Sequence, residues 1–181
     1  MKLMTRPGLP VHWVRTLVVL AALVTTMPLV ASASETPPLG VAGGFNECVP
    51  PAAGAQFTLG SADLHNTAQD PVTVAGVRLA LDNLSMAGAW VLPIFHDTKH
   101  GNWDLVGDGF SYPPTRWPTW PRRQQAIGAV IRPGQDLNLL IGLKRTSARN
   151  GRASGPVVDY VSDRQSFTLT FHINVTVSRR C

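Results

Sequence analysis

Five aromatic side chains fall between positions 103 and 120: Trp103, Phe110, Tyr112, Trp117 and Trp120. Pro113, Pro114, Pro118 and Pro121 run among them, with Asn, Asp and Arg residues close by. Flat rings that combine apolar area with a polar handle stack on sugar faces or grip aromatic and proline-rich ligands. Trp103, Tyr112, Trp117 and Trp120 are therefore the candidate ligand-binding residues. The competing reading is structural, with the rings folding back over an open edge or end of the fold. Just upstream, His96 and His100 lie four apart with Asp97 between them. Neutral imidazole and carboxylate ligate zinc or copper, and histidines at that spacing share a helix face. Gly101 and the prolines argue against a helix, so His96, His100 and Asp97 are a metal candidate weighed against plain loop polars. Asp104 to Gly109 has the outline of a calcium loop but lacks the alternating oxygen ligands and the closing Glu.

No G-x-S-x-G, H-E-x-x-H, P-loop or G-x-G-x-x-G occurs, which removes the enzyme classes those motifs mark. Asp63, His65 and a nearby Ser could converge in a site built from scattered residues, though nothing favours it. No catalytic residue is assigned and no cofactor is expected. The balance is toward a non-catalytic protein, with a metal-binding or catalytic protein using the His96/His100 region as the alternative.

The elements that must position these residues read as strands. From Ser166 to Ser178, Phe167, Leu169, Phe171, Ile173, Val175 and Val177 alternate with polar residues, the period of a strand with one face in a core. If that parity continued, Cys181 would point coreward too. Further strands are expected over 56–65, with an irregularity at Gly60, and over 72–81, 86–95, 124–131, 136–143 and 156–161. Arg132-Pro133-Gly134-Gln135 suits a type II turn and suggests a hairpin between the 124–131 and 136–143 strands. Residues 145–155 read as a polar loop with three arginines, Arg145, Arg149 and Arg152. Residues 96–123 have no sustained period, and a connection that long in a compact domain is usually functional or disordered. Its aromatic content argues against disorder.

The N-terminus reads as an export signal. Lys2, Arg6 and Arg15 precede the apolar run Leu17–Val24, and Ala31-Ser32-Ala33 has the small-x-small form of a cleavage site. An uncleaved membrane anchor is the alternative, since the apolar stretch is only just long enough to span a bilayer and Pro28 interrupts it. Residues 1–33 are thus the signal peptide, 34–55 a Pro/Gly/Ala-rich leader, and 56–181 the folded domain. The first 33 residues hold three of the 16 Lys and Arg and none of the 11 Asp and Glu, so the remainder carries 13 against 11, near +2. Basic pairs occur at Arg122-Arg123, Lys144-Arg145 and Arg179-Arg180, with no longer cluster along the sequence, so nucleic acid is not an expected partner. Cys48 and Cys181 are the two cysteines of the chain. In an exported protein they suggest one disulfide.

The segment Ile127–Leu143, then Val158-Asp159-Tyr160 and the closing strand, resembles small exported actinobacterial proteins of unknown function. The resemblance covers about the last 55 residues and implies one immunoglobulin-like domain behind a signal peptide. It carries no ligand residues across. The expectation is an all-β protein: a single antiparallel immunoglobulin-like β-sandwich of about seven strands. It would be secreted, or membrane-held if the signal stays uncleaved, and would act by binding an unidentified ligand, carbohydrate or protein.

Overall fold

The computed structural model describes residues 36–40, 44–50, 56–97, 102–104 and 106–181, and for 95–97 and 102–104 the backbone alone. Residues 1–33, read above as an export signal, and His100 lie outside these residues. In chain order the strands are β1 (Leu39–Gly40), β2 (Phe45–Val49), β3 (Gln56–Asn66), β4 (Val72–Asp82), β5 (Leu84–Pro93), β6 (Phe95–Asp97) and β7 (Asn102–Asp104). A 3-10 turn (Trp120–Arg122) follows, then β8 (Gln124–Gln125), β9 (Val130–Ile131), β10 (Asp136–Arg145), β11 (Gly151–Ser162), β12 (Gln165–Thr170) and β13 (Ile173–Val177).

They form two sheets, β1-β3-β10-β5-β8 and β2-β13-β11-β4-β9, with β12 also on β11. The cores of these orders, β3-β10-β5 and β13-β11-β4, are the B-E-D and G-F-C arrangements of an immunoglobulin-like sandwich. The pairing is antiparallel except between β2 and β13, which run parallel. The second sheet is therefore mixed, while the first is antiparallel throughout as expected. The main core lies between the two sheets. Leu137, Leu139, Ile141 and Leu143 of β10 enter it from one side, and Val158, Tyr160, Phe171, Ile173 and Val175 from the other.

The closing stretch keeps its predicted parity. Leu169, Phe171, Ile173, Val175 and Val177 are all buried. It is broken into β12 and β13 at Phe171–His172, where Phe171 N–H donates to Pro156 O at 2.8 Å. The parity stops after Val177, so Cys181 is exposed and so is Cys48. The two are bonded, with a Cα–Cα separation of 5.5 Å, within the normal range. The bridge thus lies at the surface, not beneath the core.

Four expectations are corrected. Residues 124–131 are not one strand: β8 pairs with β5 in one sheet and β9 with β4 in the other. The chain crosses between sheets around Gly128, whose φ of +84° is open to glycine at little cost. No hairpin therefore joins 124–131 to 136–143, although Gly134 (φ +68°) and the Gln135 N–H to Arg132 O bond of 3.0 Å make the expected turn. The polar loop after β10 is shorter than read, because β11 begins at Gly151 and takes in Arg152. The stretch read as a leader supplies β1 to one sheet and β2 to the other.

The outer faces of the sheets differ. On the second sheet, Arg78 makes a two-pronged ion pair with Asp159 (2.8 and 2.8 Å), and Thr168 donates to the same carboxylate at 3.0 Å. Arg78 and Thr168 hold the Asp159 carboxyl below its ordinary pKa. That face meets water. On the first sheet the outward positions are Trp90 and Leu92 of β5, and Asn138, Leu140 and Gly142 of β10. Such a face needs cover.

Candidate functional site

The cover is the aromatic segment, which straps the outer face of the first sheet from edge to edge. It starts at the β3 edge, where Thr58 N–H donates to Phe110 O and Gly109 N–H to Thr58 O, both at 2.8 Å. Phe57 bridges to Ser111 there. It ends at the opposite edge as β8, paired to β5 through Trp90↔Gln125 and Val91↔Gln124. Beneath it lies a second apolar core of Leu92, Val106, Trp120 and Leu140, with Trp90, Tyr112 and Trp117 packed against it.

Small residues in the sheet make room for this layer. Gly88 and Gly142 face each other across β5 and β10, and a Cβ on Gly142 would collide with the Tyr112 ring. Tyr112 therefore lies directly over the glycine pair, and its Oη accepts a 2.8 Å hydrogen bond from Trp90 Nε1. Trp120 meets Trp90 and Tyr112 edge to face, with centroids 5.8 and 6.1 Å apart, a favoured aromatic geometry. The Arg123 guanidinium lies 4.4 Å from the Trp120 ring centroid and 5.3 Å from that of Trp90. Its Nη1 also donates to Trp120 O at 3.1 Å.

Polar groups lock the strap at the β3 edge. The expected irregularity at Gly60 is a register shift opposite Leu139–Ile141. Buried Asn138 satisfies the backbone there: its Nδ2 donates to Gly60 O and to Ala62 O, and its Oδ1 accepts from Val106 N–H at 3.1 Å. Asp108 accepts from Gly60 N–H (2.6 Å), Ser61 N–H (3.3 Å) and Ser61 Oγ (2.9 Å). This anchoring is what the Asp104–Gly109 sequence does with Asp108. Glu47 of β2 lies near enough that burial first, and then Asp108, raise its pKa to about 6.

The candidate residues thus separate. Trp120 is 8% exposed and Tyr112 is wedged on the glycine pair, so both serve the packing. Trp90 is half-buried in this second layer. Trp117 is half-buried, and its Nε1 is buried without a hydrogen-bond partner among the described residues. For Trp103 the backbone alone is described, in β7 opposite His96. Outside the second core remains a pocket of ≈ 440 Å³ lined by Phe110, Ser111, Pro113, Pro114, Thr115, Arg116 and Trp117. Phe110 is 49% exposed. Its ring is tilted 51° to that of Trp117, with centroids 5.7 Å apart. Phe110 was counted in the sequence but not singled out; its place beside the Pro113-Pro114 pair was the available signal.

The metal candidates fall largely outside the described residues: His100 entirely, and the side chains of His96 and Asp97. Among the described residues no group of three or more His, Cys, Asp or Glu side chains could hold a metal. His65 pairs with Asp136, not Asp63, through Nδ1 and Oδ1. The Ser61 hydroxyl is given to Asp108.

No protein-family model matches the chain, and no curated protein matches it in sequence. Solved structures overlap it loosely. The Vibrio cholerae VesB protease does so at 8% identity and a TM-score of 0.41, over 77% of this chain and 32% of that one. The ASH/PapD-like domain 7 of human CEP192 gives 11% and 0.39, over 85% and 96%. A family 123 glycoside hydrolase from Clostridium perfringens gives 11% and 0.36, over 75% and 23%. The chain thus spans about a third of the first of these proteins and less of the third. Overlaps this loose carry no argument about fold or function.

Proposed function

We propose that this chain is an exported, non-catalytic binding module that seats a saccharide on Phe110 and Trp117. The observation that carries the reading is the pocket those rings line, held on a strap that the second core keeps rigid. A half-exposed ring beside a tilted indole offers stacking area, and Ser111, Thr115 and Arg116 offer donors at its rim. Rings fixed before binding lose little entropy on binding. Export is supported by the charged, apolar and small-residue segments of residues 1–33 and by the Cys48–Cys181 bond, which suits an oxidising compartment.

The test is a titration of the folded protein with a panel of oligosaccharides, followed by indole N–H resonances. A binder should shift the Trp117 signal, and Phe110→Ala should weaken binding about tenfold, equivalent to ~1.4 kcal/mol. Proline-rich peptides shifting the same signals, with no saccharide doing so, would overturn the saccharide assignment. Sequencing the N-terminus of protein from the medium checks export, with a start near Ser34 expected.

A further inference from the structure

The connection between β10 and β11 lies beside the tail that follows β13. The reason is that β11 and β13 pair from Gly151↔Val177 to Ser154↔Asn174. Both segments are basic. Arg149 from the connection and Arg179 and Arg180 from the tail line one pocket of ≈ 530 Å³, together with Ala148, Asn150 and Ser178. All three arginines are exposed, and no ion pair engages any of them among the described residues. Along the sequence these cations were a pair and a scattered set; the fold gathers them at one end of the sandwich. The carboxylate that pairing brings to this end is Asp82, which sits opposite Arg152, not Arg149, in the β4–β11 ladder.

The backbone carrying these guanidinium groups is fixed on both sides. Arg145 Nη2 donates to Arg149 O at 3.1 Å, and Arg149 N–H donates to Ser147 Oγ at 3.2 Å. Asn83 Nδ2 holds Asn150 O at 3.1 Å. In the tail, Ser178 N–H donates to Val49 O at 3.1 Å and Arg180 N–H to Ser178 Oγ at 3.2 Å. One residue further on, Cys181 is bonded to Cys48. Three like charges held around one concavity repel each other until an anion enters.

We propose that this pocket binds the phosphate group of a phosphate-bearing ligand. Each guanidinium presents five N–H donors and accepts nothing, and Asn150 and Ser178 add an amide and a hydroxyl. A single carboxylate, with about four lone-pair sites, leaves most of those donors idle. A phosphate offers more terminal oxygens and up to two charges to the same forks. The phosphate could be free or carried by a lipid headgroup, and the two are separated by experiment.

Inorganic pyrophosphate is titrated into the full folded protein at low salt, and in parallel the protein is spun down with phosphatidylcholine vesicles with or without phosphatidylglycerol. Pyrophosphate should raise the melting temperature by several degrees where sodium chloride of equal ionic strength does not, or the protein should sediment with the anionic vesicles alone. The first result assigns a free phosphate, the second a headgroup. The triple variant R149Q/R179Q/R180Q should lose at least about tenfold in affinity while melting as the wild type does, and Arg132→Gln, at a turn elsewhere, should bind normally. Should the triple variant melt lower, the single variants R179Q and R180Q carry the test, each expected to lose about threefold. Binding that survives these substitutions, a response that chloride reproduces, or no response to either phosphate source overturns the proposal.

Discussion

Replacing Trp120 by Ala tests whether the aromatic segment is structure or free surface. A buried Trp removes roughly 150–250 Å² from water, worth about 4–6 kcal/mol at ~25 cal/mol per Å². Truncations of this kind cost about 3–5 kcal/mol, and the lost Arg123 stack adds about 0.5–1 kcal/mol. If strap and sandwich unfold together, the melting temperature should drop by about 10 °C or more. If the strap opens by itself as a local unit, the melting temperature moves less, and a protease instead cuts between residues 106 and 123. Differential scanning fluorimetry and limited proteolysis on the same samples read both outcomes. Phe110→Ala is the paired control, since a ring 49% exposed should cost under about 1 kcal/mol. A Trp120→Ala protein that melts within about 2 °C of wild type and resists the protease equally would refute the second core.

Two further outcomes follow from the β2 region. The Glu47 pKa of about 6, against 4.5 for the free side chain, means the folded state holds that proton more tightly. The associated stability is full below about pH 4.5 and is lost as pH rises through 6. The gap caps the effect at ~2 kcal/mol, and solvent around half-buried Glu47 cuts it to below about 1 kcal/mol. Glu47→Gln should therefore melt a few degrees above wild type at pH 7.5 and level with it at pH 4, and a reversed order would refute the raised Glu47 pKa. Reducing Cys48–Cys181, which closes a separation of 133 residues, should cost up to about 5 kcal/mol in the chain-entropy model. Denaturant unfolding with and without reductant measures it, and a midpoint that does not move would contradict the bridge.

The main strands were legible because each shows its period or its β-branched run, and the Ser166–Ser178 alternation fixed the side of every core residue up to Val177. The 124–131 segment reads as one strand because a crossover between sheets keeps the composition of a strand: Ala126, Ala129 and Ile131 are buried, as strand residues would be. The aromatic strap over the first sheet also has a signal in the sequence. Trp90-Val91-Leu92 and Leu139-Leu140-Ile141 are continuous apolar runs, which mark strands buried on both faces. With Gly88 and Gly142 in the same strands, they pointed to a bulky cover on the outer face. The separation of Trp120 from Phe110 was not legible, since composition assigns every ring in a loop the same role.

The surface disulfide also decides how this protein carries tension. Between the stretch ahead of Cys48 and Cys181, a pull travels through the sulfur–sulfur bond across 5.5 Å, and not along the intervening chain. That chain would otherwise reach several hundred ångström when drawn out at ~3.4 Å per residue. Nearly all of both sheets, the strap and its pocket therefore lie off the line of force. A shell of this kind keeps its shape under load for as long as the surrounding redox conditions leave one bond intact.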